Sequence, residues 1–176
     1  YTITRFNTDS GLAHNYVNDI AVDAKGNKWF SCGNLTEQGK EAGGLSKFDN
    51  VKWSKYTAQH GFVSNRITSA VTTKSRIYVA NEKGLFAAPN TNYPNWYKVP
   101  TPSNVIPEKL VMDPFETIWF LSKNKIYSGS EQKFTQIPFD TASASGILQI
   151  NQFHLDDAGR LLALTNKGVY KFESGK

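Results

Sequence analysis

Sulfur and imino acids are scarce in this chain: 176 residues hold one cysteine, one methionine and seven prolines. A lone Cys32 excludes an internal disulfide framework and any zinc cluster built on thiolates, so packing beside Trp29 and Phe30 is its expected role. No run of 18 apolar residues exists, and hence no candidate transmembrane helix. A basic start followed by an apolar stretch is also missing, and the chain opens on Tyr1, which reads as a processed or excised piece of a longer polypeptide. Apolar residues do not recur every 3.6 positions, which argues against helical solenoids. No Gly-x-Ser-x-Gly, phosphate loop or dinucleotide fingerprint is present. The net charge of +5 comes from Lys and Arg scattered singly. Nucleic-acid binding needs a basic stripe with exposed aromatics between the charges, and that pattern is absent.

What the chain has instead is aromatics, 11 Phe, 8 Tyr and 4 Trp, and they fall in register. Four units can be aligned on a turn: Asp23-Ala-Lys-Gly26, the shortened Thr73-Lys-Ser-Arg76, Asp113-Pro-Phe-Glu116 and Asp156-Asp-Ala-Gly159. Asp at the start accepts local backbone hydrogen bonds, and Gly near the end takes positive φ without steric cost, which is hairpin chemistry. A large residue follows each turn: Trp29, Tyr78, Trp119 and Leu162. Next come Gly44-Leu45, Gly84-Leu85, Lys125-Ile126 and Gly168-Val169, and then an aromatic strand at Trp53 to Tyr56, Trp96-Tyr97 and Phe134 to Ile137. Between anchors the apolar residues alternate, Val17, Ile20 and Val22 against Asn18, Asp19 and Asp23. A unit of roughly 44 residues is that of a four-stranded propeller blade. The expected fold is all-β, a propeller of four-stranded antiparallel blades with four blades visible, over residues 1–176 as a single domain.

In the first unit strands are expected near Val17 to Asp23, Lys28 to Cys32, Gly44 to Phe48 and Val51 to Tyr56, with the polar, glycine-rich 33–43 as an exposed loop. The fourth unit breaks off at residues 171–176, before its last strand. Tyr1-Thr-Ile-Thr-Arg-Phe6 has the character of Lys52-Trp-Ser-Lys-Tyr56, so the N-terminal strand is expected to complete the last blade and hide its edge.

The words Gly11-Leu-Ala-His-Asn-Tyr-Val17, Ile20-Ala-Val-Asp23, Gly26-Asn-Lys-Trp-Phe30, Gly44-Leu45 and Phe48-Asp49 resemble the two-component regulator propeller repeat. Unit two keeps Gly61-Phe-Val-Ser-Asn-Arg-Ile67 and Gly84-Leu-Phe86, unit three Asp113 with Ile118-Trp119, and unit four Asp156, Gly159 and Gly168-Val169-Tyr170. The resemblance implies β-propellers of the kind found in periplasmic sensor regions of bacterial histidine kinases, including those that detect carbohydrate fragments, and in free-standing exported proteins. It therefore implies periplasmic or other export. Expected partners are a carbohydrate or other small polar ligand, other domains of a sensor kinase, or a second copy. Related propellers include metal-dependent lactonases and a lyase, whose motifs this chain does not carry.

Candidate ligand-binding residues follow from phase, since the loops entering the inner strands of a propeller surround one mouth of its channel. These residues are His14, Asn15 and Asn18, then Ser64, Asn65 and Arg66, then Glu108, and finally Gln149, Asn151 and Gln152. Amide and charged groups of this kind read hydroxyls and carboxylates. Asn15 and Asn65 are repeat-equivalent and can equally brace their loops, whereas His14, Arg66 and Glu108 are not explained by the repeat. His14, His60 and His154 differ in phase, so no metal site is expected, and no cofactor or catalytic residue. Asp23, Asp113 and Asp156 read as turn residues. The expected function is ligand sensing or interaction without catalysis. The alternatives are a propeller hydrolase or lyase, and a structural module for protein association.

Overall fold

A computed structural model describes residues 2–37, 39–91, 94–138 and 149–172. Among them are fifteen strands in four antiparallel sheets. The first sheet is β1 (Val17–Val22), β2 (Lys28–Leu35), β3 (Glu41–Phe48) and β4 (Trp53–Tyr56). The second is β5 (Ile67–Thr72), β6 (Arg76–Asn81), β7 (Gly84–Pro89) and β8 (Tyr97–Val99). The third is β9 (Lys109–Met112), β10 (Ile118–Ser122), β11 (Lys125–Ser130) and β12 (Lys133–Gln136). The fourth holds β13 (Ile150–Leu155), β14 (Leu161–Thr165) and β15 (Gly168–Phe172). Each sheet is a meander in chain order, which is the blade of a propeller.

The repeat anchors are register partners. Trp29 lies opposite Ala21, Tyr78 opposite Val71, Trp119 opposite Val111 and Leu162 opposite His154. Strand alternation sends these residues to the face turned toward the following blade, and their neighbours to the face turned toward the preceding one. Three apolar layers result. Trp29, Leu45 and Tyr56 meet Ala70, Ile77, Val79, Phe86 and Trp96. Val71, Tyr78, Leu85 and Val99 meet Leu110, Ile118, Phe120 and Phe134. Val111, Trp119, Leu121 and Ile126 meet Ile150, Phe153, Leu155, Leu161 and Ala163. Burying one such side chain is worth about 1.5–3 kcal/mol, so these layers are the core.

Two expectations need correction. Residues 33–35 and 41–43, expected within a loop, extend the hairpin, since β2 runs to Leu35 and β3 begins at Glu41. Gly33 and Gly43 face each other in that ladder at φ +132° and +138°. A Cβ on either would sit within 2.8 Å of the Asn65 carbonyl. These glycines let blade two's loop lie against the hairpin, so they mark close approach instead of a turn.

Nor, among the described residues, does an N-terminal strand pair with the last blade. Residues 2–6 form no strand, and the Phe6 ring packs at 5.7 Å from Phe48 and 5.4 Å from Trp53, on blade one. The aromatic side chain finds its apolar partners locally, and the inner strands run as an arc, β1 beside β5, β5 beside β9 and β9 beside β13, without the same approach of β13 to β1.

Candidate functional site

Antiparallel order places the loops entering β1, β5, β9 and β13 on one rim, together with the turns that join the second and third strands of each blade. The aspartate turns lie on the opposite rim. There Asp23 Oδ1 accepts the Lys25 and Asn27 backbone N–H groups at 2.9 and 3.0 Å, and its Oδ2 accepts Asn27 Nδ2, Trp29 Nε1 and Asn90 Nδ2 at 2.7, 3.0 and 2.9 Å. Burial pushes this carboxyl up, but the hydrogen bonds from Asn27, Trp29 and Asn90 outweigh it and hold the pKa at about 2. Asp113 repeats the arrangement with Phe115 N, Thr117 N and Trp119 Nε1, and Asp156 with Ala158 N, Arg160 N and Arg160 Nε. These carboxylates are fully engaged in joining a turn to the second strand.

At the other rim the sequence candidates separate by what they do. Asn15 Oδ1 accepts the Thr8 N–H at 2.9 Å and Asn65 Oδ1 the Ala58 N–H at 2.7 Å, each reaching back seven residues, so both brace their loops. His14 Nδ1 accepts the Tyr16 N–H at 3.0 Å, and Ser64 Oγ the Arg66 N–H at 3.1 Å. Register shifts between Val17 and Asp19, Ile67 and Ser69, and Ile150 and Gln152 make Asn18, Thr68 and Asn151 bulge residues, and a bulge re-aims its side chain. Asn18 Nδ2 donates to the carbonyls of Gly33 and Ile67, tying blade one to blade two. Glu108 Oε1 accepts the Lys123 N–H at 2.9 Å while its side chain remains exposed. Asn151, Gln149 and Gln152 are exposed. Arg66 is half-buried, and among the described residues its guanidinium has no hydrogen-bond or ion-pair partner.

A second group went unread in the sequence. Asp19, Ser69, Lys109 and Gln152 lie in register across the blades, opposite Ser31, Ala80, Leu121 and Leu164, and all but Lys109 directly follow a bulge. Ser69 Oγ donates to Asp19 Oδ2 at 2.5 Å, and the Ala70 N–H reaches the same oxygen at 3.2 Å. Lys109 Nζ pairs with Asp19 Oδ1 at 2.7 Å, and the Leu110 N–H donates to Ser69 Oγ at 3.0 Å. Asp19 and Ser69 thus each cap the next inner strand, and Lys109 ties the third inner strand back to Asp19 on the first. Ser69 is fully buried and its oxygen is committed, so this cluster clasps strands and offers no nucleophile. The signal that could have found it is the bulge, which advances the phase by one residue.

Among the described residues no three His, Cys, Asp or Glu side chains converge on a possible metal position. His60 Nδ1 accepts the Thr57 N–H at 2.9 Å, and His154 is exposed on the far face of blade four. No helix of the described residues is long and apolar enough to cross a membrane.

Register, blade order and layered packing define a β-propeller. No protein-family model and no curated protein sequence matches the chain. Solved structures do match in fold. The extracellular domain of the hybrid two component system BT3049 from B. thetaiotaomicron is 20% identical, with a TM-score of 0.68, over 98% of this chain and 24% of that one. The extracellular domain of BT4673 from the same organism is 23% identical, with a TM-score of 0.66, over 91% of this chain and 21% of that one. XC5397, a gluconolactonase from Xanthomonas campestris, is 12% identical at a TM-score of 0.65, over 96% of this chain and 60% of that one. The chain therefore spans about a quarter or less of the length of the two sensor domains. At these identities the likeness is one of fold, shared by extracellular sensor domains and by enzymes.

Proposed function

We propose that this chain is the recognition part of an exported bacterial sensor or interaction protein, acting by binding and not by catalysis. The observation that carries the reading is Arg66: a rim guanidinium with no acceptor among the described residues, beside Asn65 and Ser64, whose side-chain oxygens are engaged in bracing. A guanidinium in that state suits a carboxylate or sugar hydroxyls, which it can take through paired N–H donors. Exposed Glu108 and Asn151 on later blades add acceptors for hydroxyls. The fold neighbours that are extracellular domains of bacterial sensors support export and sensing, and the donors and acceptors of this rim favour a small polar carbohydrate as the ligand class.

Titration calorimetry with cellobiose and with digalacturonic acid tests this. Wild type is expected to bind at least one of them, more tightly when it carries a carboxylate, and Arg66→Ala to weaken that binding tenfold or more with its melting temperature unchanged. Equal binding by wild type and Arg66→Ala, or by neither, would refute the assignment of Arg66. Release of a cleaved or dehydrated product in the same cell would instead favour a hydrolase or lyase.

A further inference from the structure

The seam between blades one and two ends, at the rim of the aspartate turns, in a cavity of about 360 Å³ whose polar groups do not satisfy one another. Register shows what is unusual there. Trp29, Lys47 and Ser54 stand abreast on blade one, and Tyr78, Ala87 and Tyr97 hold the same positions on blade two. Three residues beyond Ala87 comes Asn90, and three beyond Ser128, the corresponding residue of blade three, comes Glu131. At the second seam these positions close on themselves. Glu131 accepts the Tyr78 phenol at 2.6 Å and the Tyr97 phenol at 3.0 Å, and pairs with Arg76 at 3.5 Å.

The first seam lacks such closure among the described residues. Lys47 stands where blade two has an alanine, is 7% exposed, and rests its ammonium 5.1 Å from the centre of the Trp29 ring. No carboxylate of the described residues pairs with it. Asn90, across the seam, is 6% exposed. Its Nδ2 donates to Asp23 Oδ2 at 2.9 Å, which fixes the orientation of the amide, and its Oδ1 is buried with no donor. Asp49 Oδ1 accepts the Val51 and Lys52 N–H groups at 3.0 and 2.8 Å, so its Oδ2 is left over. Native proteins pair nearly all of their buried polar groups, so an ammonium without an acceptor and a carbonyl without a donor on one cavity call for an occupant.

We infer that this cavity binds a hydroxylated ligand, a single sugar ring or a short polyol, through adjacent hydroxyls. A hydroxyl both accepts and donates, so a diol supplies an acceptor to Lys47 Nζ and donors to Asn90 Oδ1 and Asp49 Oδ2. Other classes fail at one of these groups. An anion brings no proton to Asn90 and meets the Asp49 carboxylate, and a metal cation meets the Lys47 ammonium. A volume of about 360 Å³ lies at the lower end of the roughly 300–1,000 Å³ of ligand pockets, which suits one ring and not a chain of them. The site is on the rim opposite Arg66 and does not depend on the ligand assigned there.

NMR titration of the amide resonances with D-glucose, D-galactose and glycerol, each up to about 100 mM, is the test. At least one of the three is expected to shift the Lys25, Lys47 and Asn90 signals saturably, the Asn90 side-chain NH₂ among them, and inorganic phosphate to leave them in place. Lys47→Met keeps an apolar stem against Trp29, and is expected to weaken binding about tenfold or more without lowering the melting temperature. Asp49→Asn, whose Oδ1 can still accept both turn N–H groups, should weaken it as well. Shifts confined to the Arg66 rim, saturation of these signals by phosphate, or equal binding by wild type and Lys47→Met would overturn the inference. So would the absence of any shift with all three probes, the cavity then holding water alone.

Discussion

Replacing Asp23 by Asn keeps its shape and removes the charge on which a whole blade junction converges. Asp23 is 4% exposed and accepts five hydrogen bonds, two from backbone N–H groups on one oxygen and three from side chains on the other. An amide has one oxygen, so either the turn or the Asn27, Trp29 and Asn90 donors would face an NH₂ group. Hydrogen bonds to a charged acceptor contribute about 1.5–3 kcal/mol each, and stranding buried donors costs about 1–3 kcal/mol. Allowing for relaxation, Asp23→Asn should lose about 3–5 kcal/mol at pH 7. The pH dependence is more specific. With the folded pKa held at about 2 against 3.8 for the free group, the unfolded chain takes up the proton first on acidification. That contribution, about 2 kcal/mol, is complete above pH 5 and lost as pH falls from about 4 to 2. Asp49, held low by backbone N–H groups of Lys52 and Val51, and Asp156, held low by the backbone N–H of Arg160, titrate in both proteins and cancel in the difference. Urea unfolding followed by tryptophan fluorescence at pH 7, 3 and 2 should show the gap between wild type and Asp23→Asn narrowing by about 2 kcal/mol. A gap below about 1 kcal/mol at pH 7, or one constant from pH 7 to 2, would refute the account.

Asn65→Ala should cost about 1 kcal/mol in urea unfolding and speed exchange of the Ala58 amide, because that amide has Asn65 Oδ1 as its acceptor; an unchanged Ala58 exchange rate counts against bracing. Burial pushes the Tyr78 phenol up, and the Glu131 carboxylate accepting its hydrogen bond at 2.6 Å pushes it further. An alkaline absorbance titration should therefore leave one phenol protonated far above the usual value of about 10, and Glu131→Gln should bring it down; a titration identical in the two proteins contradicts it.

The blade order and the layered core were legible because each anchor occurs several times. Trp29, Tyr78, Trp119 and Leu162 share one pleat position, and a single misreading would have broken the alignment elsewhere. The bracing by Asn15 and Asn65 was readable for the same reason. Glycine was ambiguous: Gly39 serves the turn, but Gly33 and Gly43 serve the close approach of Asn65, which only the neighbouring blade reveals. The Asp19, Ser69 and Lys109 cluster escaped because a bulge shifts phase without changing composition, and its partners lie 50 and 90 residues apart. The place of Phe6 was half legible. Its likeness to Tyr56 was in the sequence, but which blade it packs on depends on contacts with Phe48 and Trp53.

The bond between Lys109 and Asp19 joins blade three to blade one and skips blade two. In a strictly linear array each unit senses only its neighbours, so a terminal unit can fray while the rest persists. Here, detaching blade one also releases an ammonium on blade three, which is 38% exposed and returns to water at modest cost, and strips the Ala70 amide and Ser69 hydroxyl of their acceptor. Fraying of the first unit is thereby felt two units away, and the first three blades should melt as one cooperative block while blade four, outside the clasp, is free to open ahead of them.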